Sequence, residues 1–444
     1  MNNGKQAFDF KVAAFCLLGF AANFVACYPG YMTGDSLDQY AQSLSAEYSN
    51  WHPPIMAAWW RVLNIISSGP QSMLAFQLAC LWVGIYFLFS LLRGSKWWYL
   101  TVFIFAFAPF VQNFSGYIIK DSQMAITWFL ACAWMLHISG RRRNWLELIA
   151  CTLLLVYGCW IRLNALPGFI PLCFLWAGVF FPFQSDRIKI IAAFSFLVAT
   201  VLLQPLVNYK MLRASKSYPE IKLYMHDLSG VFVRTGENVF PALLYQNSQF
   251  DTAFIRKHYS VTSFDPIWWN DNGIKVVNGD KAPINAALYE QWTGAIFQHP
   301  GIYLSNRFNG FLYYLRVRNS GTKFYYNINF IDENKWGFAV RDGKLHRFWQ
   351  QGLKLHGAMP YTRPWFWLLL NLVLFIPLRR MEKGISRVAA TCLLWSSLLY
   401  VLPMFFLFQV DFEFRYSYWN CIAVSLGLCM IIKEKLRGKI TPEL

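Results

Sequence analysis

The sequence predicts a polytopic α-helical membrane protein of about ten transmembrane helices, with an α-rich soluble domain on the external side. Three observations predict it. Charged residues make up 14% of the 444 positions and hydrophobic ones 56%, whereas an ordinary soluble domain carries about 25% charged residues. Long uncharged runs fill residues 1–207 and 364–433, and a helix needs roughly 20 apolar residues to cross the hydrocarbon of a bilayer. Between them, residues 208–363 are polar, rich in Asn, Asp, Lys and Tyr, and contain no run able to span. The chain therefore divides into an N-terminal membrane block (1–207, with a first external loop at 31–70), a soluble domain (208–363) and a C-terminal membrane block with its tail (364–444).

Element by element, the apolar runs place spans near 12–30, 71–92, 97–113, 122–139, 145–161, 165–183, 188–207, 364–378, 387–409 and 417–433. The first is long enough to span and lacks a small-residue cleavage site, so it is expected to be retained as a start-transfer helix. Residues 53–68 contain Arg61 and are followed by Gly69-Pro70. They are expected to lie in the interface, with Trp59 and Trp60 at headgroup depth. The run between Arg363 and Arg379 has only 15 residues, so its arginines must snorkel or the bilayer must match it locally.

Basic residues fix the orientation. With the N-terminus inside, the inside loops hold Arg93 and Lys96; Arg141, Arg142 and Arg143; Arg187 and Lys189; Arg379, Arg380, Lys383 and Arg387; and a tail with Lys433, Lys435, Arg437 and Lys439. Each obeys the positive-inside rule, and residues 208–363 then lie outside, in the periplasm of a Gram-negative cell. The same rule accounts for the net charge of +17, so nucleic acid is not expected as a partner. All ten cysteines lie in or beside apolar runs without metal-ligand spacing, and are read as small packing residues.

Polar residues gather in the external loops. The first loop holds Asp35, Ser36, Asp38, Gln39 and Tyr40, then Asn50-Trp51-His52-Pro53-Pro54; the second Lys120-Asp121-Ser122; the third Arg162-Leu163-Asn164; the last Asp411-Phe412-Glu413-Phe414-Arg415-Tyr416. Each also has a structural reading. Asp35 could cap the helix that starts after Thr33 and is expected to run to Tyr48. Asp38, at i+3, is a supporting or solvated acid. His52 could sit at the interface, Lys120-Asp121 could form a loop pair or cap, and Asp411 or Glu413 could neutralise Arg415. Arg162 is harder to explain structurally, because ionisable groups at headgroup depth are costly and usually meet a partner or a ligand. A guanidinium fork suits a phosphate and a lysine adds a point charge. A carboxylate beside them suits a general base, so the set suggests chemistry on a lipid-linked phosphate.

These residues resemble the GT-C class of membrane glycosyltransferases. The carriers are Tyr28-Pro29-Gly30 with Gly34-Asp35-Ser36, then Trp51-His52-Pro53-Pro54, Lys120-Asp121, Arg162-Leu163-Asn164 and Glu413-Phe414-Arg415-Tyr416; within 208–363, His226-Asp227-Leu228 and Trp292, His299-Pro300 and Arg307 are similar to the bacterial members. Size and shape resemble the serotype-converting O-antigen glucosyltransferases. The resemblance implies an inverting transfer from a polyprenyl-phosphate sugar to a glycan acceptor at the external face. It implies Asp35 as catalytic acid-base residue, with His52, Lys120, Asp121, Arg162 and Arg415 binding the donor phosphate or substrate. Asp38, Gln39, Asn164, Glu413 and Tyr416 would support them. Ser36 stands where the mannosyl and arabinosyl branches carry a second acid; one acid makes a poor cation site, so neither metal nor cofactor is expected. Two other classes compete: an O-antigen polymerase or ligase, and a transporter or flippase of lipid-linked sugars. Transporters place polar groups at broken helices near the midplane, whereas these gather at one face.

Overall fold

The computed structural model describes residues 8–139, 144–162, 164–246, 250–269, 277, 279–319, 321, 324–407 and 413–440. The expectations for Arg141, Arg142, Arg143, Leu163, Asp411 and Phe412 fall outside these. Among the described residues regular structure is entirely helical, with a few isolated bridges and no strand.

Among the described residues four helices are long and apolar enough to cross a membrane: Phe10–Cys27, Pro70–Leu92, Asp186–Met211 and Ile385–Phe405. The N-terminal part runs α1 (Phe10–Cys27), α2 (Gly34–Ser45), α3 (Ile55–Asn64), α4 (Pro70–Phe89), α5 (Lys96–Phe107), α6 (Pro109–Gln112), α7 (Lys120–Ile138), α8 (Trp145–Trp160), α9 (Leu166–Phe180) and α10 (Asp186–Pro205). Local signals explain the starts: Asp9 and Asn144 accept first-turn N–H groups of α1 and α8, and Pro70 opens α4 where its missing N–H costs nothing. The run expected at 97–113 is broken, because Pro109 ends α5 and begins α6. Helix α7 is buried almost all round and packs on α4, α8 and α19 (Tyr418–Ile440). That close packing needs a missing side chain: a Cβ at Gly158 of α8 would lie 2.5 Å from the Trp128 ring of α7. By contrast α10, at the edge, leaves most of its apolar surface uncovered.

The middle of the chain adds α11 (Glu220–Thr235), α12 (Thr252–His258), α13 (Asp265–Trp268), α14 (Lys281–Gln298), α15 (Pro300–Tyr314) and α16 (Lys344–Leu355), before α17 (Pro364–Arg379), α18 (Ile385–Val401) and α19. Residues 221–295 bury a hydrophobic core of their own, whereas Tyr314, Tyr326 and Ile328 join the large core of the apolar helices. Arg307 ties the two together. Its guanidinium pairs with the buried Asp227 carboxylate and donates to the Leu407 carbonyl, while the Trp292 indole also donates to Asp227 at 2.8 Å. Residues 53–68 do contain a helix, α3, but the Trp60 ring is fully buried and donates to the Gly69 carbonyl at 3.2 Å. Trp59 packs half-buried on Phe76, so α3 turns these indoles inward.

Candidate functional site

The first turn of α2 is positioned by backbone pairing across distant segments. Tyr31 N–H donates to the Gly116 carbonyl at 2.8 Å, and Ile118 N–H returns a bond to the Tyr31 carbonyl at 2.9 Å. On the other side Met32 exchanges bonds with Phe330 and Asp332. The helix begins at Gly34, and the cap comes from elsewhere in the chain: Asp332 Oδ2 accepts the Gly34 N–H at 2.8 Å. Asp35 is therefore freed from capping, and α2 ends at Ser45 rather than at Tyr48.

Three cationic or imidazole groups converge on Asp35. Lys120 Nζ and an Arg415 Nη1 each lie 3.4 Å from Asp35 Oδ2, and His52 Nε2 lies 3.7 Å from Oδ1. The carboxylate side chain is still 33% exposed, so a ligand can reach it. Lys120 Nζ stands 2.7 Å from His52 Nδ1. An ammonium has donors only, so Nδ1 accepts, and the neutral imidazole carries its proton on Nε2, facing Asp35 and, at 4.0 Å, Asp38. Burial pushes the Asp35 carboxyl up, but Lys120, Arg415 and His52 outweigh it and hold it well below the usual carboxylate range. Burial and the neighbouring Lys120 bring His52 down to about 3, the opposing pull of Asp35 notwithstanding.

Arg415 is held by several partners. Its Nε lies 2.5 Å from Glu413 Oε2, and it donates to the Tyr117 hydroxyl at 3.2 Å and the Tyr416 hydroxyl at 2.9 Å. Burial pushes the Glu413 carboxyl up, against the attraction of Arg415. The Tyr416 ring has Arg415 at 4.9 Å and Arg162 at 5.0 Å from its centroid. Arg162 pairs through Nε with Asp121 at 3.1 Å. Asn164 donates to the Met404 sulfur at 3.3 Å.

Two cavities meet at Tyr416. One, of about 770 Å³, is polar and includes Asp35, Asp38, His52, Glu413 and Arg415 in its walls. The other, of about 540 Å³, includes Arg162 and Asn164 and reaches the end of α10 at Gln204, Pro205 and Asn208. The structure thus gathers Asp35, Asp38, His52, Arg415, Glu413, Tyr416, Arg162 and Asn164 around adjoining spaces, and buried Lys120, which lines neither, joins them through Asp35 and His52. Two residues stand apart. Asp121 is completely buried and lines neither cavity, so it serves as the counter-charge of Arg162. Gln39 is buried inside α2 and likewise lines neither. Tyr117, Thr33 and Asp332 were not singled out from the sequence. Tyr117 lies three positions before Lys120, and its hydroxyl is 2.6 Å from Thr33 Oγ1, a placement that only the folded chain reveals. Among the described residues no group of three or more His, Cys, Asp or Glu side chains has the geometry of a metal site. No family model, curated protein or solved structure matches the chain.

Proposed function

We propose that this chain is an inverting glycosyltransferase of the GT-C kind in the bacterial inner membrane. It moves a hexose, glucose in the favoured case, from a polyprenyl-phosphate donor to a hydroxyl of a periplasmic glycan such as lipopolysaccharide O-antigen. Ten helices cross the bilayer in this proposal: the four long apolar ones, the shorter α5, α8, α9 and α17, and the central α7 and α19. The observation that carries it is the meeting of the Asp35 carboxylate with Lys120 and Arg415, from three separate parts of the chain, where Asp35 and Arg415 line an open polar cavity.

The acceptor hydroxyl gives its proton to Asp35 as its oxygen bonds to the anomeric carbon. The carbon–oxygen bond to phosphate breaks on the opposite face, and its electrons stay on the phosphate. Lys120, Arg415 and Arg162 stabilise that growing charge. The low basicity of Asp35 in the free protein fits this sequence. A phosphate that engages Lys120 and Arg415 weakens their hold on the carboxylate, which then becomes a better base when the donor is in place.

The test is transfer itself. Protein in lipid nanodiscs is given radiolabelled polyprenyl-phosphate glucose and lipopolysaccharide. Label should appear on the glycan with wild type and not with Asp35→Asn. Movement of the lipid between leaflets without transfer would make the chain a flippase instead. Joining of whole glycan blocks would make it a polymerase or ligase.

A further inference from the structure

The polar cavity has lining residues that the proposed chemistry does not use. Three indoles, Trp51, Trp268 and Trp269, line it together with the acids. Trp51 and Trp268 stack with centroids 5.9 Å apart at 16°, and Trp269 stands edge-on to both, at 6.2 and 6.4 Å. Trp269 is 64% exposed. Asp265 and Lys281 line the same cavity, and Lys222 pairs with Asp265 while its ammonium sits 5.9 Å from the Trp269 ring.

A large indole left exposed in a polar cavity leaves apolar area in water, and a ligand with an apolar face recovers it. A carboxylate and an ammonium lining the same cavity, Asp265 and Lys281, are the complement of hydroxyl groups, which both donate and accept. A pyranose has both features, a C–H face and an equatorial ring of hydroxyls. The cavity falls within the range of small-molecule sites, about 300–1,000 Å³, and Asp35 is part of its lining. We infer that Trp51, Trp268 and Trp269, with Asp265 and Lys281, form a saccharide-binding subsite that holds the acceptor glycan and aims one of its hydroxyls at Asp35. The assignment of the bound sugar as acceptor rests on the glycosyltransferase reading; the binding of a saccharide does not.

Saturation-transfer NMR on the full chain in nanodiscs separates the two, using methyl α-glucoside, methyl α-galactoside and methyl α-rhamnoside as probes. Wild type should transfer saturation to the C–H face of at least one. Asp35→Asn should do the same, because the platform is intact. Trp269→Ala should abolish the signal and Trp269→Phe retain part of it. No saturation with any probe in wild type, or an undiminished signal in a Trp268→Ala/Trp269→Ala double variant that melts like wild type, overturns the subsite. In the transfer assay Trp269→Ala should raise the acceptor KM about ten-fold, the loss expected for one stacked aromatic face, and leave the donor KM in place. Transfer with an unaltered acceptor KM would sink the subsite and leave the transferase reading standing. Saccharide binding without any transfer would do the reverse for the transferase reading.

Discussion

The Asp35 carboxylate faces Lys120, Arg415 and His52 at once, so replacing it tests two properties together. Asp35→Asn preserves shape but removes both the base and the anion that competes for the two cations. Turnover should fall about 100-fold or more, the scale of general-base catalysis, while affinity for polyprenyl phosphate should rise. Asp38→Asn should change both less, since Asp38 is more exposed and takes its hydrogen bond from Gln42 at 2.7 Å. Calorimetric titration of polyprenyl phosphate beside single-turnover transfer checks the pair; weaker lipid binding by Asp35→Asn would show that the carboxylate helps to hold the donor. Much of this neighbourhood was legible in the sequence. Asp35, Lys120, Arg162 and Arg415 each interrupt or flank an apolar run, where a charge is costly and conspicuous. Tyr117, Asp332, Trp268 and Trp269 were not, because such residue types are ordinary in a chain like this one. Their importance arises from contacts between positions such as Gly34 and Asp332, far apart in sequence.

Helix α7 shows how a buried pair fixes an element. Asp121, in its first turn, holds Arg162 at the turn between α8 and α9. Removing one member leaves the other charge buried alone, which costs about 3–5 kcal/mol, whereas replacing both by apolar groups is often neutral. Asp121→Asn should therefore lower the melting temperature sharply, and Asp121→Leu/Arg162→Met should recover most of the loss while donor binding stays impaired. Thermal scans of the three proteins with a lipid-binding measurement check it; full donor binding by the double variant would remove Arg162 from the phosphate site. The sequence marked Lys120-Asp121 as a unit, but the two side chains diverge, Lys120 to Asp35 and Asp121 to Arg162. Adjacent helical residues point about 100° apart, so two partners on different elements divide the dipeptide. Helix boundaries were mostly readable from Pro and caps. Pro109 was missed, since an unbroken apolar run hides a proline that ends one helix and begins another, and so was the end of α2 at Ser45.

Two histidines link the smaller core and the apolar core to pH. Burial and the neighbouring Arg307 bring His226 down to about 3, as burial and Lys120 do for His52. Both are neutral when folded at pH 7, whereas an unfolded histidine takes a proton below about 6.5. The unfolded chain then binds more protons, so stability is present above pH 6.5 and is lost as pH falls from there toward 3, by at most about 1.4 kcal/mol per pH unit for each histidine. Asp35, held below its ordinary value, adds a loss of the same sign at lower pH. Melting temperatures at pH 7.5 and 5 should show the drop. His226→Gln, which keeps a donor for the Ser260 carbonyl that Nε2 bonds at 3.0 Å, should flatten it. The ten-helix arrangement makes a separate claim. Single cysteines at Gly94 and Ser185, in a background with the buried native cysteines removed, should resist an impermeant outside reagent, while one at Gly337 should react. Labelling at position 94 from outside would invert the topology. Lastly, Tyr416 forms a wall of both cavities, one bordered by the bare apolar helix α10 and the other by charged side chains. If the proposed chemistry holds, two reactants that dissolve in different phases need never share a solvent. In that chemistry the spent carrier would be left on the oily side of the ring and the lengthened glycan on the watery side, so the products would be sorted by the bond-breaking event itself.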